Sequence, residues 1–389
     1  MRLLGLMIIT VLVFNACGTS GLTEYEEVPV ETVQPAVWIE DDIYPSPTQA
    51  PPPEPEPDLP PVFPNEIGEI MIIVYHGLHE YNPGTYDRLT SEFKNDLQML
   101  YDRGYRLISM ADLINNNIRT PKGYTPVVLS FDDGLPSAFS MIELEDGTLA
   151  PKPGTAVYII NNFYEKNPDF GRTAIFFVNG RPEPFNGAGT LEERFQFLIE
   201  HGYELGNHSY SHAFFSRHNA QSLQRDMGLL DQMLRRYAPG FEPLVMAYPY
   251  SVRPRCELFR YVLNGEYNGV PYSYAWALRV GNTGSPAVPY HINFDPFNVS
   301  RVVASDASTE YYIVPDLGHL LRLFDEFPGL RFISDGDPYT VTVPRHLEDY
   351  VNIYALYGKE LIFYDLIVEC DENDGYYYDG CEEYRYSTS

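Results

Sequence analysis

Between about residue 66 and residue 343, short apolar runs alternate with segments whose apolar residues recur at helical spacing. The runs at 70–75, 106–108, 126–131, 173–178, 203–205 and 243–248 predict strands buried on both faces, because a half-exposed strand would alternate apolar with polar residues. Segments 90–103, 154–166, 191–201, 220–237 and 315–327 predict helices. In the first of these, Phe93, Leu97 and Leu100 fall on one face and Thr90 or Ser91 can cap the end. A turn at 334–338 precedes one more expected strand at 339–343. Doubly buried strands separated by helices predict parallel βαβ units, hence an α/β fold. Periodicity alone does not choose between an open sheet and a closed barrel. In either, reactive side chains belong at the C-terminal ends of the strands.

The chain before this region reads differently. Met1-Arg2, an apolar run over 3–14 and Asn15-Ala16-Cys17-Gly18 form a short secretory-type leader, too brief to span a bilayer comfortably. Its Phe-Asn-Ala-Cys ending resembles a bacterial lipobox, which implies lipidation of Cys17 and an anchor on the outer face of a membrane. Plain secretion and an uncleaved anchor are the alternatives. Residues 18–64 contain ten acidic residues, twelve prolines and no Lys or Arg. That composition predicts a disordered, extended spacer.

Of 389 residues, 26 are Lys or Arg and 54 are Asp or Glu, a net charge of -28. Nucleic acid is therefore not an expected partner, since its phosphates need basic side chains. Four cysteines are too few for a disulfide framework. Cys370 and Cys381, in an acidic Tyr-rich tail, could pair outside the cytosol, which would leave Cys256 as a lone buried residue.

The candidate chemistry sits just after the expected strands. His76 follows the first; Asp132, Asp133 and Gly134 follow the run 126–131; His208 and His212 follow 203–205; Pro249 and Tyr250 follow 243–248. His208 and His212 are four apart, so on a first helical turn they would share a face. Two imidazoles and a carboxylate are a common set for a divalent metal with an open position. Of two adjacent aspartates, one can ligate while the other handles a proton. Each motif alone is as often a turn or a helix cap; together, each after a strand, they favour a metal centre.

Ser130-Phe131-Asp132-Asp133-Gly134 and His208-Ser209-Tyr210-Ser211-His212 resemble two motifs of the polysaccharide deacetylases, carbohydrate esterase family 4. The resemblance covers about 69–332, with 135–153 as an insert. It implies a distorted (β/α) barrel and metal-dependent removal of N-acetyl or O-acetyl groups. By position, Asp132 would be the general base, and Asp133, His208 and His212 would hold one divalent ion, expected to be zinc. Pro249 and Tyr250 would line the substrate groove, with the Tyr250 N–H on the oxyanion. The third motif here reads Ala247-Tyr248-Pro249-Tyr250 and lacks the family's usual arginine; Arg301 is the candidate to replace it. Tyr75-His76 resembles the branch acting on poly-N-acetylglucosamine, which implies His76 as general acid; water is the other choice.

The expected organisation is a lipoprotein leader at 1–17, a linker at 18–64, a catalytic domain at 65–335 and a β extension with acidic tail at 336–389. The expected activity is N-deacetylation of an extracellular or cell-wall amino-sugar polymer by a lipid-anchored protein. An O-acetyl esterase, or a non-catalytic wall-tethered glycan-binding lipoprotein, is the alternative.

Overall fold

The computed structural model describes residues 63–389 except 82, 83, 85, 282, 283, 307–314, 370–382 and 389. Cys17, the linker as far as residue 62, and the expected Cys370–Cys381 pair lie outside the described residues. Seven parallel strands close into a barrel: β1 (Met71–Tyr75), β3 (Thr125–Phe131), β4 (Ile175–Val178), β5 (Glu204–Asn207), β6 (Val245–Ala247), β7 (Trp276–Val280) and β8 (Val299–Val303), with β8 pairing back onto β1. β2 (Tyr105–Leu107) pairs with the first residues of β3 and stands outside the ring. The expected barrel is thus the one found.

Alternation along the strands sorts the side chains. Met71, Ile73 and Tyr75 of β1, with Val127, Leu129 and Phe131 of β3, face an outer core shared with α1 (Thr90–Asp102), α2 (Ala156–Lys166) and α3 (Leu191–Glu200). Ile72, Val128, Phe177, Val245, Leu278 and Val299 belong to a second, inner cluster. Outside β6 and β7, a third cluster packs against α4 (Ala220–Tyr237). Gly206 in β5 is small for a steric reason: a Cβ there would lie 2.4 Å from the Phe177 ring. No other residue leaves space for that ring inside so narrow a barrel.

Two barrel strands, β7 and β8, were not among the expected elements. Arg279 and Arg301 interrupt their apolar runs, and an irregular connection separates them, so their hydrophobic signal is weak. The insert after Asp-Asp-Gly is a hairpin, Met141–Glu143 with Leu149–Pro151. α5 (Leu317–Glu326) precedes β9 (Thr340–Pro344), which pairs with β10 (Glu360–Glu369), itself antiparallel to β11 (Glu383–Thr388). Val341 and Val343 of β9 enter the inner cluster. Among the described residues no helix is long and apolar enough to cross a membrane. Cys256 corrects an expectation: it is exposed and disulfide-bonded, with its partner outside the described residues. It opens a short 3-10 turn whose Leu258, not the cysteine, packs into the third cluster.

Candidate metal centre and active site

Strand register builds the site. Tyr75 pairs with Phe131, so the next residues, His76 and Asp132, emerge side by side; the Asp132 N–H donates to Tyr75 O at 3.0 Å. His76 Nε2 lies 3.8 Å from Asp132 Oδ2. Val178 pairs with Asn207, which sets Asn179 against the loop that begins at His208. Asn179 Nδ2 donates to His208 O and Ser209 O at 2.6 and 3.0 Å.

The two histidines do not meet on a helix. Ser209 and His212 adopt left-handed backbone with φ of 62° and 49°, and a tight turn folds one imidazole over the other. Side chains hold this turn: Asn207 Oδ1 accepts from Ser209 N at 2.8 Å, and Ser209 Oγ accepts from Ala213 N at 3.1 Å. Asp133, Tyr250 and Ser251 are also left-handed. Left-handed backbone costs an ordinary L-residue about 1–2 kcal/mol. Its concentration at one rim shows that local comfort has been given up for side-chain placement.

His208 Nε2 and His212 Nε2 lie 3.5 and 3.3 Å from Asp133 Oδ1. A tetrahedral ion with bonds of about 2.0–2.1 Å separates its ligands by roughly 3.3 Å, so the three fit such an ion. They are the one group of this kind among the described residues. His208 Nδ1 lies 2.9 Å from Ala247 O; with the proton there, the Nε2 lone pair faces the cluster. Burial lowers the His208 pKa against the opposing pull of Asp132 and Asp133, and the neutral ring is the ligating form.

Asp132 turns inward and is 2 % exposed. Arg301 forks onto it, Nη1 to Oδ1 at 2.6 Å and Nη2 to Oδ2 at 2.8 Å. Arg301 is itself buried inside the barrel, its guanidinium over the Phe177 ring at 5.2 Å. Burial pushes the Asp132 carboxyl up, but Arg301, His208 and His76 outweigh it and hold it well below the usual carboxylate range. Asp132 Oδ2 also lies 3.7 Å from His208 Nε2. Pro249 is buried and opens the turn that presents Tyr250, which is exposed. The Tyr250 ring stands edge-on to His212 at 4.4 Å and stacks flat on Phe214 at 4.0 Å.

His76, Asp132, Asp133, His208, His212, Pro249, Tyr250 and Arg301 therefore share one end of the barrel. Phe214 was not anticipated: one exposed aromatic after a histidine motif carries no signal until Tyr250 is seen lying on it. Asn179 and Asn207 were missed for a similar reason: each bonds backbone atoms of the 208–212 turn, and Asn207 has other buried partners besides.

By fold and site, this is a (β/α) barrel with a metal-competent centre at the C-terminal ends of its strands. Residues 119–257 match the sequence profile described as polysaccharide deacetylase. Among curated proteins no sequence matches the chain. Similar solved structures include the Streptococcus pyogenes deacetylase PplD in complex with acetate, with 19% identity over 50% of this chain and 78% of that one and a TM-score of 0.38. IcaB from Ammonifex degensii has 17% identity over 61% and 92%, with a TM-score of 0.41. A de-N-acetylase from Aggregatibacter actinomycetemcomitans has 15% identity over 62% and 97%, with a TM-score of 0.42. His76 and Arg301 fall outside the matched segment 119–257; barrel closure brings them to it.

Proposed function

We propose that the protein is a metal-dependent hydrolase that removes N-acetyl groups from an extracellular or cell-wall amino-sugar polymer, held on the outer face of the membrane by a lipid on Cys17. The observation that carries the reaction is the Asp133–His208–His212 cluster beside the buried Asp132 that Arg301 forks. The deacetylase domain match supports the class of substrate.

Asp133, His208 and His212 would hold one divalent ion, zinc by its preference for this donor set; when bound, it polarises a carbonyl and makes a nucleophile of water near neutral pH. Asp132 accepts the water proton as general base. Arg301 favours the ionised form of that carboxylate and aims it. The Tyr250 N–H donates to the oxygen on which charge develops. His76, 3.8 Å from Asp132 Oδ2, gives a proton to the departing amine as the acetyl C–N bond breaks. Tyr250 and Phe214 offer a stacked aromatic edge on which a sugar ring can lie.

The test is acetate release from N-acetylglucosamine oligomers by the full chain, with and without a chelator, alongside the metal content. Chelator-sensitive release is expected, restored by zinc. Bound metal with acetate released only from O-acetylated glycans would replace the amide reading by an ester one. No bound metal would overturn the centre itself.

A further inference from the structure

Close to the Tyr250–Ser251 turn lie two arginines, Arg253 and Arg279, without a carboxylate partner among the described residues. Val280 N donates to Ser251 Oγ at 2.8 Å, which ties the end of β7 to the turn. Arg279 precedes Val280, and Arg253 lies two residues beyond Ser251. Neither forms an ion pair with a carboxylate among the described residues, in a chain that has 54 of them. Arg279 Nε is buried with no hydrogen-bond partner, and its Nη1 reaches Asn298 Oδ1 only at 3.5 Å. The Arg253 guanidinium rests on the Phe259 ring at 5.0 Å, and Phe259 stacks on Phe297 at 6.2 Å. An aromatic floor thus supports the Arg253 fork.

Like charges set side by side are costly unless something else repays them. Burial and the Arg253 charge both lower the Arg279 pKa, whereas Arg88 and Arg235 are raised by their carboxylate partners. Two planar forks with free donors, one of them an orphaned buried N–H, are what a carboxylate needs for bidentate capture.

We propose that Arg253 and Arg279 form a subsite for a carboxylate carried by the polymer, next to the sugar that loses its acetyl group. This rests on the deacetylase reading and narrows its substrate class to an acidic amino-sugar polymer. The overall negative charge repels such a polymer, so the subsite supplies the attraction locally, where the reacting sugar must be placed.

The experiment compares one oligomer in two forms: N-acetylglucosamine alternating with N-acetylmuramic acid, with its carboxylates free or converted to methyl esters. For the full chain, kcat/KM for acetate release should favour the free acid about tenfold, mostly through KM. The R253Q/R279Q double variant should abolish that preference, and R253K/R279K should keep part of it. Equal rates on the two forms, or an unchanged preference in R253Q/R279Q, would overturn the subsite. Dissociation constants for the same pair decide the matter separately: a binding preference lost in the double variant sustains the subsite even if no acetate is released, in which case the deacetylase reading fails. Competition by inorganic phosphate well beyond that by free acetate would assign the forks to a phosphate and overturn the carboxylate.

Discussion

At the scale of single residues, the site turns on whether Asp132 stays ionised. Asp132→Asn keeps the shape and leaves Asp133, His208 and His212 in place. Metal content should be unchanged while acetate release falls at least about a hundredfold; near-normal turnover would remove Asp132 from the role of base. Arg301→Gln tests the other partner. Without the guanidinium, burial prevails and the Asp132 pKa rises, so the acid limb of the pH–rate profile should move to higher pH. The sign follows from protonation: a base with a raised pKa is lost to protons at a higher pH than before. Stability carries the opposite signature in the parent protein. The depressed Asp132 carboxyl contributes stability above its unfolded pKa of about 3.9, and that share is lost as pH falls through the folded value. The residues that spacing brought forward, Asp132, Asp133, His208 and His212, lie together because each motif is local and follows a strand. The Arg301 contact joins residues 169 apart; only a resemblance could suggest it, since no local pattern marks an arginine inside a barrel. Cys256 shows the converse, for a lone cysteine in sequence says nothing about a partner far along the chain.

At the scale of elements, the 208–212 turn depends on what lies behind it. Asn207 is fully buried; its Nδ2 donates to Met227 O and lies 2.6 Å from Tyr274 Oη, and its Oδ1 accepts from Ser209 N. The Tyr274 hydroxyl donates to Asp231 Oδ1 at 3.1 Å, which links the network to α4. Asn207→Ala should destabilise the fold by about 2–3 kcal/mol through unsatisfied buried groups. It should also weaken zinc binding about tenfold or more by loosening His208; urea unfolding and zinc titration measure the two effects, and an unchanged zinc affinity would show that the turn holds its shape alone. A second joint lies at the foot of the barrel. Glu66, 4 % exposed, accepts from Thr342 N at 2.9 Å and so fixes the segment before β1 to β9. Burial, with Asp335 nearby, pushes its carboxyl up to about 8. The folded state then holds a proton between about pH 4.5 and 8 that the unfolded state has released, so stability falls as pH rises through that window. Melting should drop by a few °C from about pH 5 to pH 8, and Glu66→Gln should flatten the slope; an equally steep slope in the variant would place the cause elsewhere. The five long helices and the first six strands were legible because apolar spacing marks them directly. β7 and β8 were not, because their arginines answer to Asp132 and to the rim rather than to a core.

At the scale of the whole molecule, an all-parallel barrel gathers strand ends from positions 75 to 303 on one face. The chain as a whole carries a net charge of -28. Charge of this size acts over about 30 Å at 0.01 M salt but only about 3 Å at 1 M. Each acetyl group removed from an amino sugar uncovers an amine that is cationic at neutral pH, so the proposed reaction turns its polymer towards the sign that the protein attracts. Release of a much-deacetylated chain should therefore be slow at low salt. In progress curves of acetate release, added glucosamine oligomers should inhibit several-fold more strongly at about 10 mM salt than at about 500 mM, and more strongly than N-acetylglucosamine oligomers of equal length. Added salt should relieve that difference without changing the bound metal. Equal inhibition by the two oligomers at low salt would mean that the acidic surface does not reach the groove, and that the charge serves only solubility or spacing from a wall.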